Sequence, residues 1–567
     1  MEKLRIGLLI DQKNVDYTTL DILKKIKQKS DLFYEPIIIF EENKYFEKSF
    51  LQKIKGLFSL FELKFKIRKI SYLILISLVK FVEFRVVKKN FIEFGKIYNL
   101  TNENYKKIKL NQLWSKSKFS STSSYLDIKK LEKNNFDVLI KFGNEVLNKS
   151  ILKVSKFGIL SFNYGDTRTS QEDIYGLLEA LNKKRSIGFV IHRHNEEVNY
   201  ADVIYRGNIS ANKLWLMNMA KISEKSSVFM IKVLEEIYLN QRLPKIHSLY
   251  MYKGKNYTIK NQPNIVFKYI LKILVPYILN NLKGKLFGFP LSWWSIAYSK
   301  ENLGFKGLKN FKEIKNPPGR FFADPFVIDY KNRKIIFVED YSFKDNKGRI
   351  SAIDITNDSE EFLGVVLEED FHLSFPFLFK ENDKLYMVPE CCNSNQIRLY
   401  ECIEFPMKWK FKFTLMNSVS AVDTILIKKE EVWFLLTNIC SANIKNHSSE
   451  LHIFYSDKLL SNTWTSIKQT NPVKFDSSEA RNGGVIFDKE KIYRVNQVQS
   501  PETYGYSLKI NLIKKLDKYS YLEETIEEIN PNFKKNIIGT HHFNSYKNIS
   551  VIDFHRRLSP KEVFKNN

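Results

Sequence analysis

Five segments in the second half of the chain share one shape: a small or polar residue, an apolar strand, a polar turn and a second apolar strand. They start at Ala323-Asp-Pro-Phe-Val-Ile-Asp, Ser374-Phe-Pro-Phe-Leu-Phe, Val422-Asp-Thr-Ile-Leu-Ile, Ala480-Arg-Asn-Gly-Gly-Val-Ile and Thr540-His-His-Phe-Asn. A period of about 50 to 60 residues gives each repeat room for four short strands, the pattern of a β-propeller. Five repeats predict five blades over residues 301–560. Inner strands of a propeller start at its axis, so residues at equivalent repeat positions converge on one pocket.

Those positions are polar. The inner strands open with Asp324, Ser374, Asp423, Arg481 and His541, and the second strands end in Glu339-Asp340, Glu390, Thr437, and Arg494 with Gln497. Charged residues ahead of apolar strands suit a solvated funnel better than a core. Carboxylates gathered with Arg and His suit sugar chemistry, because a carboxylic acid can protonate a glycosidic oxygen while an opposed carboxylate activates water or attacks. Arg and Gln suit recognition of hydroxyl, carboxylate or phosphate groups. The pair Trp293-Trp294 is expected to be a core anchor at the propeller's opening.

Residues 1–240 read as an α/β domain. Buried strands (Arg5 to Ile10, Glu35 to Phe40, Phe136 to Gly143, Phe157 to Asn163, Ser186 to His192) alternate with helices (Tyr17 to Lys29, Glu172 to Asn182), which argues for a parallel sheet. A basic, apolar insertion occupies residues 50–95, and a second such stretch, Ile265 to Phe289, lies in a linker over 241–300. The apolar run of the first is too short and charge-flanked to span a bilayer but suits an anionic membrane interface; for both stretches, packing between domains is the other reading.

The formal charge of +27 over 567 residues implies attraction to polyanions or, equally, a generally basic surface. No nucleic-acid-binding motif accompanies it, so no nucleic-acid partner is expected. The four cysteines (Cys391, Cys392, Cys402, Cys440) show neither zinc spacing nor a disulfide framework. The N-terminal apolar run is too short for a signal peptide. These features predict a cytoplasmic protein, peripheral to the inner membrane face at most, with no metal and no cofactor.

Phe136 to Gly207 resembles the formyltransferase family, in which an Asn-x-His pair at a strand end and a later Asp move a formyl group from folate to an amine. Here Gly158-Ile-Leu-Ser-Phe-Asn-Tyr-Gly puts Ser161 at the Asn, Asn163 at the His and Asn199 at the Asp. A shift of two residues restores the Asn but still loses the His. An Asn side chain cannot titrate, so the resemblance implies the Rossmann-type fold without the activity. His192 and His194 are expected to face solvent at their strand end.

The second half resembles the five-bladed arabinanase, xylosidase and fructosidase propellers through Ala323-Asp-Pro325 and Gly539-Thr-His-His542. More closely, it resembles the N-terminal propeller of plant glucosamine inositolphosphorylceramide transferases. The motifs are Phe322-Ala-Asp-Pro-Phe326, Val338-Glu-Asp-Tyr341, His372-Leu-Ser-Phe-Pro376, Val388-Pro-Glu390, Ala480-Arg-Asn-Gly-Gly484, Tyr493-Arg-Val-Asn-Gln497 and Gly539-Thr-His541. These resemblances imply Asp324 as base or nucleophile and Glu390 or Asp423 as acid. Glu339, His372, Glu479, Arg481, Arg494, Gln497 and His541 would bind the substrate, a carbohydrate or lipid-linked sugar. The expected function is a carbohydrate-active enzyme of surface-glycan or glycolipid assembly; the alternative is a non-catalytic glycan-binding scaffold.

Overall fold

The computed structural model describes residues 2–11, 14–41, 60–100, 103–114, 125–143, 147–165, 175–194, 200–244, 248–251, 263–301, 305–357, 359–441 and 446–565. The chain divides into two compact units, Met1–Pro276 and Tyr277–Asn567.

The first unit is built on an eight-stranded sheet. Five strands run parallel, in the order Lys107–Leu110, Ile37–Glu41, Ile6–Leu9, Val138–Lys141 and Ile159–Gly165. The central one, Ile6–Leu9, is wholly apolar and buried, as a sheet covered on both faces requires. Ser186–His194, Tyr200–Ser210 and Ser248–Met251 then add on antiparallel, so the sheet is mixed rather than parallel. Only five residues separate Ser186–His194 from Tyr200–Ser210, and a parallel crossover needs a dozen or more. Helix Tyr17–Gln28 starts where the Asp16 carboxylate accepts the Thr19 N–H. It packs on helix Trp215–Asn240, where Ser227 Oγ donates to Asp21 at 2.5 Å. The helix expected over 172–182 is described only as Leu177–Leu181, residues 172–174 lying outside the described residues.

Most of the basic insertion is one helix, Leu60–Val87. Ile76, Val79, Glu83 and Val87 form its buried stripe, while Ile70, Leu73, Ile74, Leu78 and Phe81 are 47–64% exposed. The buried face docks on helix Pro263–Tyr269 through Glu83, which accepts from Tyr269 Oη at 2.5 Å and from the Leu216 N–H at 2.7 Å.

The second unit is a five-bladed propeller. Blade I comprises Arg320–Tyr330, Arg333–Ser342, Lys347–Asp354 and Glu361–Leu367; blade II comprises Ser374–Glu381, Lys384–Glu390, Gln396–Glu404 and Lys408–Asn417. Blade III comprises Ala421–Lys429, Val432–Ile439, Glu450–Ser456 and Thr465–Ser466, with Lys474–Phe475 also pairing its third strand; blade IV comprises Asn482–Asp488, Lys491–Val498, Ser507–Leu516 and Tyr521–Ile529. Each innermost strand touches the next, and that of blade V returns to blade I, closing the ring. Blade V is assembled from both ends of the unit: Phe543–Tyr546 and Ile549–Leu558 are completed by Leu291–Ser299 and Lys312–Ile314. The strand Leu291–Ser299 therefore belongs to the propeller and not to a linker ending at residue 300. It pairs along its whole length with the last long strand, and that pairing clasps the ring.

Candidate functional site

In four blades the innermost strand breaks register near the axis, between Ala323 and Phe326, Ser374 and Phe377, Val422 and Ile425, and Asn482 and Val485. The extra residue takes a left-handed conformation at Asp324 (φ 49°), Phe375 (45°), Asp423 (50°) and Gly484 (124°). Bulges re-aim side chains beside functional sites, and a non-glycine residue here is strained. Bulge geometry also corrects the repeat alignment. Phe375, not Ser374, is the counterpart of Asp324, and the acid of blade II comes instead from the facing strand, where Glu390 pairs Ser374 as Glu339 pairs Ala323.

Asp324, Glu339, Glu390, Asp423, Arg481, Gln497 and His541 converge. Arg481 donates from Nε to Asp423 Oδ2 at 2.6 Å, and its Nη2 lies 3.8 Å from Glu390 Oε2. Its guanidinium sits 5.0 Å from the centre of the Tyr504 ring. Gln497 Nε2 donates to Asp423 Oδ2 at 3.3 Å and to the Asn482 carbonyl at 2.8 Å. On the blade V side, Asp553 accepts the His541 and His542 N–H groups at 2.9 Å each and the Asp324 N–H at 3.3 Å, and its Oδ2 lies 2.5 Å from His541 Nδ1. His541 stacks on Trp294 with ring centres 3.8 Å apart, so that tryptophan is an anchor against the site itself. His372 approaches Glu339 at 3.4 Å and accepts the Gly348 N–H on Nδ1. Gly348 leaves that room: a Cβ there would lie 2.7 Å from the His372 ring and 3.0 Å from Glu339 Oε1.

Crowding buried acids makes them hard to ionise. Burial pushes Asp324 up to about 7, the nearby His541 and Arg481 only partly offsetting it. Burial, with Asp324 and Glu390 nearby, holds Glu339 well above the usual carboxylate range, and burial with Asp423 does the same to Glu390. Burial would also raise Asp553, but His541 outweighs it and holds Asp553 low; reciprocally, Asp553 and Asp324 overcome burial and raise His541. The centre thus sets protonatable carboxyls beside Asp423, which is ion-paired to Arg481. The ligand atoms of Asp324, His541 and Asp553 fall within 4.8 Å of one another, a spacing a cation could use. His541 and Asp553 are already committed to each other, however, and Asp553 to three backbone N–H groups.

Two predicted binding residues stand elsewhere. Arg494 pairs with Val485, further along the blade than the bulge, and is fully buried. Its guanidinium donates to both Glu523 oxygens at 2.6 and 2.8 Å, to Asn482 Oδ1 and to the Ala480 and Glu479 carbonyls, so it is a fastener within blade IV rather than a ligand group. Glu479 pairs Lys474 at 3.1 Å in that same neighbourhood. Asp553, Trp294 and Tyr504 were not among the predicted site residues, although Asp553 closes the fifth repeat segment and the Trp pair was visible.

In the first unit, Ser161 and Asn163 are buried on Ile159–Gly165; Asn199 lies outside the described residues. His192 is buried rather than solvent-facing, and both His192 Nε2 and His194 Nε2 lie 2.8 Å from Ser161 Oγ. The register sets Ser161 beside His192. Burial, with each other and Lys141 nearby, holds His192 well below its ordinary value; burial and Lys141 take His194 to about 3.

The second unit is thus a five-bladed propeller with an acidic, arginine-clamped centre. Residues 310–559 match the family model for the N-terminal region of glucosamine inositolphosphorylceramide transferase 1, so this part of the chain carries that family's domain. Curated proteins of that name from rice (Oryza sativa subsp. japonica) and Arabidopsis thaliana are each 33% identical, over 210 and 211 residues; the match covers 36% of this chain and 28% and 27% of theirs. The matched stretch therefore spans little more than a quarter of those relatives' length. Among solved structures, the catalytic domain of a Coprinopsis cinerea GH62 α-L-arabinofuranosidase aligns with 46% of this chain and 97% of its own, at 10% identity and a TM-score of 0.32. A GH43_1 enzyme from Xanthomonas citri aligns with 45% and 92%, at 9% identity and 0.32.

Proposed function

We propose that this chain is a carbohydrate-active protein of surface-glycan or glycolipid assembly, whose propeller centre binds a glycosyl group and cleaves or transfers it. One observation carries the reading: the buried Asp324 and Glu339 and the largely enclosed Glu390, all of raised proton affinity, surround an Arg481-paired fourth acid, Asp423. Glu390 suits the general acid, because burial and the neighbouring Asp423 raise its proton affinity, and Asp324, near 7, suits the base or nucleophile. Asp423 is the weaker candidate for the acid because its oxygen is spent on Arg481 and Gln497. The match to a family named for transfer to inositolphosphorylceramide supports a lipid-linked sugar as substrate. The first unit is read as a formyltransferase-like fold that has lost the reaction: Ser161 and Asn163 do not titrate, and His192 and His194 are held neutral. The exposed apolar stripe of Leu60–Val87 supports attachment at the inner membrane face.

The test uses the full chain with lipid-linked and nucleotide-linked sugars, following sugar release or transfer. Asp324→Asn and Glu390→Gln should each reduce turnover at least 100-fold while leaving binding within a few-fold. Wild-type turnover in Asp324→Asn ends the catalytic assignment, and tight binding without turnover by the parent chain shifts the protein to the scaffold class. Formyl transfer from a folate donor by the first unit would overturn the inactive-domain reading.

A further inference from the structure

The innermost strands run from the acidic centre to a second opening at their far end. A cavity of about 770 Å³ lies there. Every blade supplies at least one wall residue that is at most 2% exposed, among them Phe326, Phe377, Leu426, Val485 and Phe543. Phe326 meets Phe375 and His542 edge to face, at 5.0 and 4.5 Å between ring centres. This aromatic plug divides the cavity from the carboxyl cluster. Asn544, a polar residue in the wall, uses its amide within the fold, accepting the Val327 N–H and donating to the Val485 carbonyl. The deep wall therefore offers apolar surface, which suits hydrocarbon and leaves a sugar's hydroxyls unpartnered.

The mouth is different. It carries Lys380, Lys428, Lys489 and Lys547 against Glu381 and Asp488. Lys428 is held by Glu381 at 3.0 Å and Lys547 by Asp329 at 3.1 Å. Lys380 lies over the Tyr330 ring at 4.2 Å, and burial together with the Lys547 ammonium depresses its pKa, a repulsion that a bound anion would relieve. The half-exposed Phe487 and Ile526 extend the apolar wall to the entrance.

We propose that this second opening is a binding site for an amphipathic anion, an alkyl or acyl chain entering the five-walled cavity with its phosphate at Lys380 and Lys547. The site goes beyond the glycosyl centre and does not depend on it, since the aromatic plug separates the two.

Alkyl phosphates of six, eight and ten carbons, kept below their micellar concentrations and titrated calorimetrically into the full chain, test it. Affinity should rise about fourfold per added methylene, the equivalent of about 0.8 kcal/mol per buried CH2. Octyl phosphate should bind at least tenfold more tightly than octyl glucoside. Lys380→Glu with Lys547→Glu, both surface changes, should erase that headgroup preference while leaving the thermal transition in place, and Ser545→Trp should lower affinity by obstructing the cavity. Asp324→Asn should have no effect. No binding, affinity indifferent to chain length, equal binding of phosphate and glucoside, or loss of binding in Asp324→Asn would each overturn the inference, the last by moving the ligand to the glycosyl centre. Competition by phosphatidylglycerol vesicles identifies the natural ligand as a membrane lipid, and its absence as a free phosphate monoester; both outcomes uphold the site.

Discussion

Arg481 and Asp423 meet at 2.6 Å across the step from blade III to blade IV, and the same guanidinium reaches toward Glu390 of blade II. One cation thereby balances acids from two other blades. Removing it leaves buried carboxylates unpaired, a change that costs about 3–5 kcal/mol where such pairs are broken on one side. Arg481→Met should therefore lower the denaturant midpoint strongly. Arg481→Met combined with Asp423→Asn should cost clearly less than the sum of the single changes, as a double-mutant cycle would read. Arg481→Lys should not restore sugar binding, because one ammonium cannot hold both acids as a planar fork does.

The raised Asp324 carboxyl has a signed consequence for stability. Between its ordinary value of 3.8 and about 7 the folded chain binds more protons than the unfolded chain, so stability falls as pH rises through that window. His541 acts in the same direction: its folded pKa is raised, so its contribution is complete below its unfolded value and fades as pH climbs through the folded one. Denaturant midpoints measured from pH 4 to 8.5 should decline, and Asp324→Asn should flatten the decline, remaining near the parent at pH 4 and exceeding it at pH 8. A parent chain whose stability rises over that interval would remove the buried, protonated acid from the account.

Arg494 provides the contrast to Arg481. Its donors go to Glu523, Asn482 and two carbonyls, all inside one blade or at its edge. Arg494→Met should cost about 3–5 kcal/mol in chemical denaturation. Sugar affinity, measured at low temperature where the variant remains folded, should change by less than threefold. Loss of affinity without loss of stability would return Arg494 to the binding surface.

The repeat in the sequence was enough to give five blades and to gather Asp324, Glu339, Glu390, Asp423, Arg481 and His541, because equivalent positions must meet at an axis. It could not separate Arg481 from Arg494. Both are arginines near the ends of adjoining strands, and only the register, with Arg494 opposite Val485, shows which one leaves the centre. Ser374 was misaligned for a similar reason: a bulge adds a residue without marking the sequence, so Phe375 occupies the Asp324 position. Blade V was hidden more deeply, because its third strand, Leu291–Ser299, lies on the far side of the other four blades in the sequence from Ile549–Leu558, the strand it pairs. The buried His192 and the half-buried His194 escaped because alternation along a strand does not say which face a covering layer closes.

The helix Leu60–Val87 is apolar on two sides, and only one is used. Ile76, Val79 and Val87 are buried with Glu83, whereas Ile70, Ile74, Leu78 and Phe81 recur at helical spacing and remain 47–64% exposed. Surface helices of water-soluble domains place polar residues there. Lys80, Arg85, Lys88 and Lys89 border the stripe, and each basic residue near an anionic surface adds about 1 kcal/mol. In flotation assays the full chain should rise with vesicles containing phosphatidylglycerol, less so with neutral phosphatidylcholine vesicles, and less again as salt screens the attraction. Ile74→Glu with Phe81→Glu, both at exposed positions, should leave it at the bottom of the gradient without shifting its thermal transition. A parent chain that stays at the bottom with both lipids would assign the stripe to protein packing instead.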